Sequence, residues 1–407
     1  MRVYLLAMLS LIASQVIGQS QSYSLVIEAF DWGPAVTKIV LPNADLTPAA
    51  ADYQVSVHRQ HAGAELDESG ALQLLGTYAA TAEGERSEDG EYLALILAIS
   101  PQQSLTNPFV YTSSRNQWVD YQFTITHTPS KAVFREESER YFPDLMGVEL
   151  DQRFESRKAD VKLSFADYQP DYDAATKRPL LIWLHGGGEG GTDTRVPLIA
   201  NRAVAYAQSP IQDIMDGAYV LWPQTPTFWM QSESGKMTWG DKQSRYTNSL
   251  LALIDDYVAK HPGVDTDRIY VGGCSNGGFM TLKLLLARPD FFAAAFPSAL
   301  GYKSEFLSDE EIKTLAGIPT WYVHSKDDTT TPFATTAGPV VERLQQVGGK
   351  VQYSFYEHIT DLTGAFGGDD FYYPGHFSWV PCHANHCRTE IGGKSTTIMA
   401  WLAAQHR

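Results

Sequence analysis

Between residues 179 and 357 the chain alternates short, almost wholly apolar runs with longer helix-spaced segments, and this alternation restricts its fold more than any other feature. The apolar runs are "PLLIWLH" (179–185), "AYVLWPQ" (218–224), "RIYVGG" (268–273), "FAAAFPS" (292–298), "PTWYVHS" (319–325) and "VQYSFYE" (351–357). Among the segments between them, "YTNSLLALIDDYVAKH" (246–261) and "GPVVERLQQVGG" (338–349) carry helical spacing. A strand that is apolar on both faces must be covered on both faces, so the pattern predicts an α/β architecture with a mostly parallel sheet between two helix layers. In such sheets ligands lie beyond the carboxyl ends of the strands.

The region before it obeys a different rule. From Tyr23 to about Thr128, "YSLVIEAF", "AVTKIVL", "DYQVSVH", "EYLALILAI" and "DYQFTITHT" are rich in β-branched and aromatic residues, several with period-two alternation. "DWGP", "PNAD", "SEDG" and "SLTNPF" separate them as turns. About one hundred residues of this kind predict an all-β sandwich of immunoglobulin type, without the paired cysteines of antibody domains. A chain of 407 residues is long for one core, so two domains are expected. The expected organisation is a signal peptide at 1–18, the immunoglobulin-like domain at 19–128, a charged, proline-bounded linker at 129–144, and an α/β domain at 145–407.

The signal peptide rests on "MRVYLLAMLSLIASQVIGQS", in which Arg2 precedes an apolar run from Val3 to Ala13, and Val16 and Gly18 suit a signal-peptidase site. It predicts a secreted or periplasmic protein. The run is short for a bilayer, and no later stretch approaches the ~20 apolar residues that a spanning helix needs. The net charge of −16 without long like-charge runs argues against nucleic acid or an anionic membrane as partner, because both call for a basic surface.

Chemistry enters at "RIYVGGCSNGGFM" (268–280). Gly273-Cys274-Ser275-Asn276-Gly277 fits G-x-S-x-G, with a strand running in and a helix-capable stretch, "GFMTLKLLLARP", running out. Glycines on either side let such a turn close without Cβ clashes and push the serine oxygen outward, which makes Ser275 the candidate nucleophile. In this fold the order along the chain is serine, acid, histidine. "HSKDDTTTP" offers Asp327 and Asp328, and "YYPGHFSW" offers His376. Asp328 is preferred for its position relative to Pro332, with Asp327 directed to solvent. Asp361, Asp369 and Asp370 are alternatives in a loop nearer the histidine. His358, His383 and His386 compete with His376, which the chain order favours.

The tetrahedral intermediate on the way to an acyl-enzyme carries a negative oxygen that needs converging N–H donors. The glycine-rich "LHGGGEGGTD" (184–193) at the end of an early strand can supply one. The expected donors are the N–H groups of Asn276 and Gly187, with His185 bracing the loop. Trp229, Trp239, Phe377 and Trp379 are expected around the substrate cleft. Cys382 and Cys387, in "CHANHC", are expected to pair as a disulfide in an oxidising compartment. Free thiols, or a zinc site using His383 and His386, are the alternatives.

On these residues the chain resembles the secreted α/β-hydrolase esterases that carry an N-terminal immunoglobulin-like domain. That group is labelled predicted peptidases and is similar to the poly(hydroxyalkanoate) depolymerase and feruloyl esterase branch. The stretches that carry the resemblance are "FDWGPAVTKIVL", "PLLIWLHGGGEGGTD", "YVLWPQTP", "VDTDRIYVGGCSNGGFMT", "HSKDDTTTPF" and "GHFSW". It implies Ser275 as nucleophile, Asp328 as acid and His376 as base, in a secreted hydrolase that cleaves small or polymeric carboxylic esters without metal or organic cofactor. Peptides and polyesters are alternative substrates for the same residues. The "GGGEGG" loop and the "CHANHC" insertion depart from the group's pattern.

Overall fold

The computed structural model describes residues 21–42, 46–155, 161–171, 176–241 and 243–407. The expected signal peptide at 1–18 lies outside the described residues. The N-terminal domain is built from β1 (Gln21–Phe30), β2 (Gly33–Pro42), β3 (Tyr53–His61), β4 (Leu66–Leu72), β5 (Leu74–Ala80), β6 (Tyr92–Leu97), β7 (Phe109–Thr112), β8 (Arg115–Trp118), β9 (Asp120–His127) and β10 (Ala132–Tyr141). Eight of these form one sheet in the order β4-β3-β9-β10-β1-β2-β6-β5, while β7 and β8 make a separate hairpin. Alternation decides what faces inward: in β3, Tyr53, Val55 and Val57 are buried while Gln54 and Ser56 are exposed. Tyr23, Leu25, Ile39, Leu95, Val57, Phe123 and Phe134, from both halves of the sheet, share a single core. The sheet therefore curls into two layers around it, as an immunoglobulin-like domain does.

The expected linker is corrected here. Most of residues 129–144 is β10, an interior strand that pairs antiparallel with β9 and parallel with β1. Only Phe134 of β10 is fully buried, and Glu136, Glu137, Glu139 and Arg140 leave no hydrophobic alternation to read.

The second domain contains β11 (Val148–Phe154), β12 (Leu163–Tyr168), β13 (Arg178–Leu184), β14 (Tyr219–Gln224), β15 (Val264–Cys274), β16 (Ala294–Ser298), β17 (Thr320–Ser325) and β18 (Val351–Tyr356). They form a sheet in the order β11-β12-β14-β13-β15-β16-β17-β18. Pairing from β14 to β18 is parallel, and β11 and β12 add antiparallel strands at one edge. Successive side chains of β13 serve opposite cores: Leu181 and Trp183 enter one, and Leu180, Ile182 and Leu184 the other. Helix Thr247–Lys260 covers the second core with Leu250, Leu253, Ile254 and Tyr257, the spacing of one helical face. Each such leucine contributes about 1.5–3 kcal/mol by leaving water.

The domains are joined by directional bonds. Arg202 Nη1 lies 3.0 Å from Asp31 Oδ1 in the β1–β2 turn, Asp144 Oδ2 accepts from Ala29 N–H at 2.7 Å, and Trp118 Nε1 donates to Asp193 Oδ2 at 2.9 Å. Among the described residues no helix is long and apolar enough to cross a membrane.

Candidate active site

β15 ends at Cys274 and the next helix begins at Asn276, which leaves Ser275 alone in the turn with φ 54° and ψ −110°. A residue with a Cβ held there costs about 1–3 kcal/mol, so its surroundings must fix it. Its N–H donates to Ser298 O of β16 at 2.9 Å, and its carbonyl accepts from Phe279 N–H at 3.0 Å and Gly301 N–H at 3.2 Å. The flanking glycines have a steric reason. A Cβ on Gly273 would come within 2.7 Å of Leu184 O and of the Gly277 carbonyl, and one on Gly277 would overlap Leu184 O. Both positions let the helix start press against the end of β13. Ser275 is half-buried, and among the described residues its hydroxyl has no hydrogen-bond partner.

The loop after β17 and the loop after β18 bring an acid and a base together. His376 Nδ1 lies 2.9 Å from Asp328 Oδ2. Asp328 Oδ2 also accepts from Thr331 Oγ1 at 2.8 Å, while Oδ1 accepts from the N–H groups of Thr330 and Thr331 at 2.8 and 2.9 Å. With Nδ1–H committed to the carboxylate, the lone pair of His376 is on Nε2. Burial by itself would raise the Asp328 pKa, but hydrogen bonds from His324 and His376 and from the Thr331 backbone outweigh it and hold the carboxyl well below the usual range.

His324 is a residue that sequence reasoning missed. Fully buried at the end of β17, it accepts from Leu300 N–H through Nδ1 at 3.1 Å, so its proton is on Nε2. That Nε2 lies 2.9 Å from Thr331 O and 3.4 Å from Asp328 Oδ2. The available signal was a histidine in an otherwise apolar strand, since a buried imidazole needs partners.

Of the other candidates, Asp327, His358 and Asp361 are engaged elsewhere, and His383 is buried with neither ring nitrogen hydrogen-bonded. Asp327 is not simply solvated: its Oδ2 lies 2.8 Å from His358 Nδ1, and its Oδ1 accepts from Ser325 Oγ. Asp361 accepts from the N–H groups of Thr363, Phe366 and Gly368 and so organises its own loop.

Gly187 to Glu189 form a short 3-10 turn after β13. A Cβ on Gly187 would lie 3.9 Å from Asn276 Nδ2, so the two expected donors are neighbours. Asn276 is buried, and its Oδ1 accepts from Met230 N–H at 3.1 Å. His185 bonds through Nδ1 to Gly186 O at 2.6 Å and accepts from Thr225 N–H through Nε2 at 3.2 Å. Burial pushes its pKa down to about 4, which keeps this bridging imidazole neutral.

The expected aromatic cleft is corrected in part. Trp229 is fully buried, donating through Nε1 to His185 O at 3.1 Å, and presents no surface to a ligand. Trp379 is 4% exposed and packs edge-on to the His376 ring, 5.4 Å between centroids. Phe377 is half-buried against Trp379, and Trp239 is 70% exposed. Both buried indoles belong to loops that fold back onto the core, which composition does not reveal.

The disulfide is corrected as well. Cys382 and Cys387 are buried free thiols, as is Cys274. Each of the pair meets a tyrosine hydroxyl instead: Tyr206 lies 3.6 Å from Cys382 Sγ, and Tyr356 donates to Cys387 Sγ at 3.5 Å. Among the described residues no cluster of three or more His, Cys, Asp or Glu side chains is arranged to hold a metal ion.

Residues 22–134 match the family model described as "Esterase Ig-like N-terminal domain", and residues 233–305, which include Ser275, match that of the "Prolyl oligopeptidase family". A search of curated proteins found no match. Among solved structures, a thermostable esterase is similar at 22% identity with a TM-score of 0.75, over 95% of this chain and 100% of that one. The acylaminoacyl peptidase of Pyrococcus horikoshii gives 15% identity and a TM-score of 0.42, over 80% of this chain and 52% of that one. Esterase 2 of Thermogutta terrifontis gives 17% and 0.40, over 60% of this chain and 94% of that one. The likeness to the thermostable esterase extends over both domains and shows the fold, an α/β-hydrolase domain behind an immunoglobulin-like one.

Proposed function

We propose, for a chain that joins an esterase-type immunoglobulin-like domain to an α/β-hydrolase domain, that it is a serine hydrolase of carboxylic esters. Ser275 attacks the acyl carbon while His376 Nε2 takes its proton, and Asp328 holds the imidazole in the required tautomer and stabilises its charged form. The N–H groups of Asn276 and Gly187 bind the oxyanion. His376 then returns the proton to the departing alcohol, and water, activated by the same imidazole, releases the acid. The observation that carries this reading is the turn at Ser275: an unfavourable φ of 54° held on a strand-to-helix junction, in the sheet whose β17 and β18 loops supply the hydrogen-bonded His376 and Asp328. The unbonded Ser275 hydroxyl is compatible with it, because catalytic hydrogen bonds are often long before substrate binds. Ser275→Ala is expected to lower hydrolysis of a p-nitrophenyl ester about 10^4-fold or more, and retained turnover would end the proposal.

Peptide hydrolysis is the second reading, favoured by the match of residues 233–305 to the prolyl oligopeptidase family. Ester and amide cleavage use the same nucleophile and oxyanion donors, so paired kinetics on ester and peptide panels separate them. A polyester belongs on the same panel. Export is part of the proposal too, and rests on Arg2 and the apolar run that follows it. A mature N-terminus near Gln19 by mass spectrometry supports it, and one at Met1 contradicts it.

A further inference from the structure

The glycine loop is not held by its own domain alone. Glu189 ends the short turn that begins at Gly187, and its carbonyl accepts from Gln224 Nε2 of β14 at 2.9 Å. Its side chain folds beneath the loop, where a Cβ on Gly186 would come 2.8 Å from Glu189 Oε2. The other oxygen, Oε1, accepts from Asn116 Nδ2 at 3.0 Å, and Asn116 belongs to β8 of the N-terminal domain. Glu189 is 4% exposed, and its Oε2 is buried and meets no partner in hydrogen-bond geometry. The Gly186 N–H and the Asn201 side chain, both of the hydrolase domain, also stand close enough to favour the ionised carboxyl, but the bond from Asn116 is the one that reaches it from the other domain, and a buried carboxyl is sensitive to the loss of a donor.

The rest of the β7–β8 hairpin lies on the same loop. A Cβ on Gly188 would come 3.1 Å from the Tyr111 ring and 3.2 Å from Asn116 Nδ2, so a side chain there would press the hairpin back by a few tenths of an ångström. Trp118 Nε1 bonds Asp193 Oδ2, four residues beyond Glu189. Burial lifts the Glu189 carboxyl to about 7.

We propose that Asn116 and Glu189 are positioning residues through which hairpin β7–β8 holds the glycine loop in register with Asn276, so that the oxyanion donors of the hydrolase domain are set by a side chain of the other domain. The inference rests on the reading that Gly187 and Asn276 supply those donors. Since the oxyanion forms only after attack, in the tetrahedral intermediate and the transition states that flank it, and is absent from bound substrate, loss of the clamp falls on kcat and not on KM. Removing a whole oxyanion donor costs about 10^2–10^3-fold; displacing one is expected to cost about 10- to 100-fold.

The test measures kcat and KM on p-nitrophenyl acetate for Asn116→Ala and Asn116→Asp in the full chain, beside Ser275→Ala. Aspartate keeps the shape of asparagine but replaces its donor with an acceptor facing Glu189, so a packing role survives in it and a donor role does not. Both Asn116 variants should lose kcat while KM stays within about twofold of wild type. Wild-type kcat in Asn116→Asp, or a loss confined to KM, overturns the clamp. Activity in Ser275→Ala overturns the nucleophile reading instead, so the two failures are distinguishable. If an Asn116 variant does not fold, Glu189→Gln and Glu189→Ala decide. Glutamine keeps an oxygen for the Asn116 amide and should retain kcat, whereas equal loss in both contradicts the proposal.

Discussion

His324 Nε2 lies 3.4 Å from Asp328 Oδ2, with both side chains inaccessible to solvent. The imidazole is locked in one tautomer by Leu300 N–H, so it can present only a donor to the carboxylate. That N–H is hydrogen-bonded to Thr331 O at 2.9 Å and reaches the carboxylate only at 3.4 Å, so Asp328 has a weaker, longer-range donor on the core side and His376 on the open side. Replacing His324 with Ala removes that donor and leaves Leu300 N–H without its acceptor. The expected outcome is a fall of about 10-fold or more in kcat/KM, as for loss of a hydrogen bond to a charged group. The acid limb of the pH–rate profile should also shift. An unaltered profile would assign His324 to packing alone.

Asp328 also sets a sign for acid stability. Its folded-state pKa is held below the ordinary 3.8, so the folded chain binds fewer protons there than the unfolded one. This contribution is therefore fully present above the ordinary carboxylate range and is lost as pH falls below it. Asp328→Asn should be less stable than wild type at neutral pH, and the gap should narrow on acidification in denaturant titrations.

Glu189 carries the opposite sign. Its pKa rises from 4.5 to about 7 in the folded protein, mainly through burial, so the folded state binds the extra proton. Stability then falls as pH rises through that interval, by about 3 kcal/mol at most at ~1.4 kcal/mol per unit. Glu189→Gln lacks this titration. Its melting temperature relative to wild type should be higher at pH 8 than at pH 5, and a pH-independent difference would show that Glu189 stays ionised throughout.

Gly277 has no room for a side chain, since a Cβ would overlap the carbonyl of Leu184. Gly277→Ala must push the helix Asn276–Ala287 off β13, at a cost of about 1–3 kcal/mol or more. Urea denaturation should show that loss together with reduced activity. Wild-type stability would mean that the helix start tolerates displacement.

The three cysteines are free and buried. Without reductant, a thiol reagent should count three thiols per unfolded chain and react slowly with the native protein. One thiol per unfolded chain would restore the Cys382–Cys387 bond expected for an oxidising compartment.

The strands of the hydrolase sheet were legible because burial on both faces leaves almost no polar residue, as in "PLLIWLH". Strand β10 was not, because an interior strand with a solvated face can carry Glu136, Glu137 and Glu139 and still pair on both sides. At the site, the turn at Ser275 was readable from its glycines, which have steric neighbours in Leu184. His324 was hidden because a strand residue names no partner. The Asn116–Glu189 bond was hidden for a further reason: it spans 73 positions and joins two domains, a contact that no local pattern encodes. Trp229 and Trp379 show the reverse error, in which aromatic content near a site suggested a binding wall where the rings fill the core.

The most direct test of the central proposal is to treat the native full chain with a fluorophosphonate and map the adduct by mass spectrometry. A single adduct on Ser275, formed far more slowly in His376→Ala and Asp328→Asn, is the expected result. Modification of a different residue, or an unmodified Ser275 in a preparation that hydrolyses esters, would contradict it.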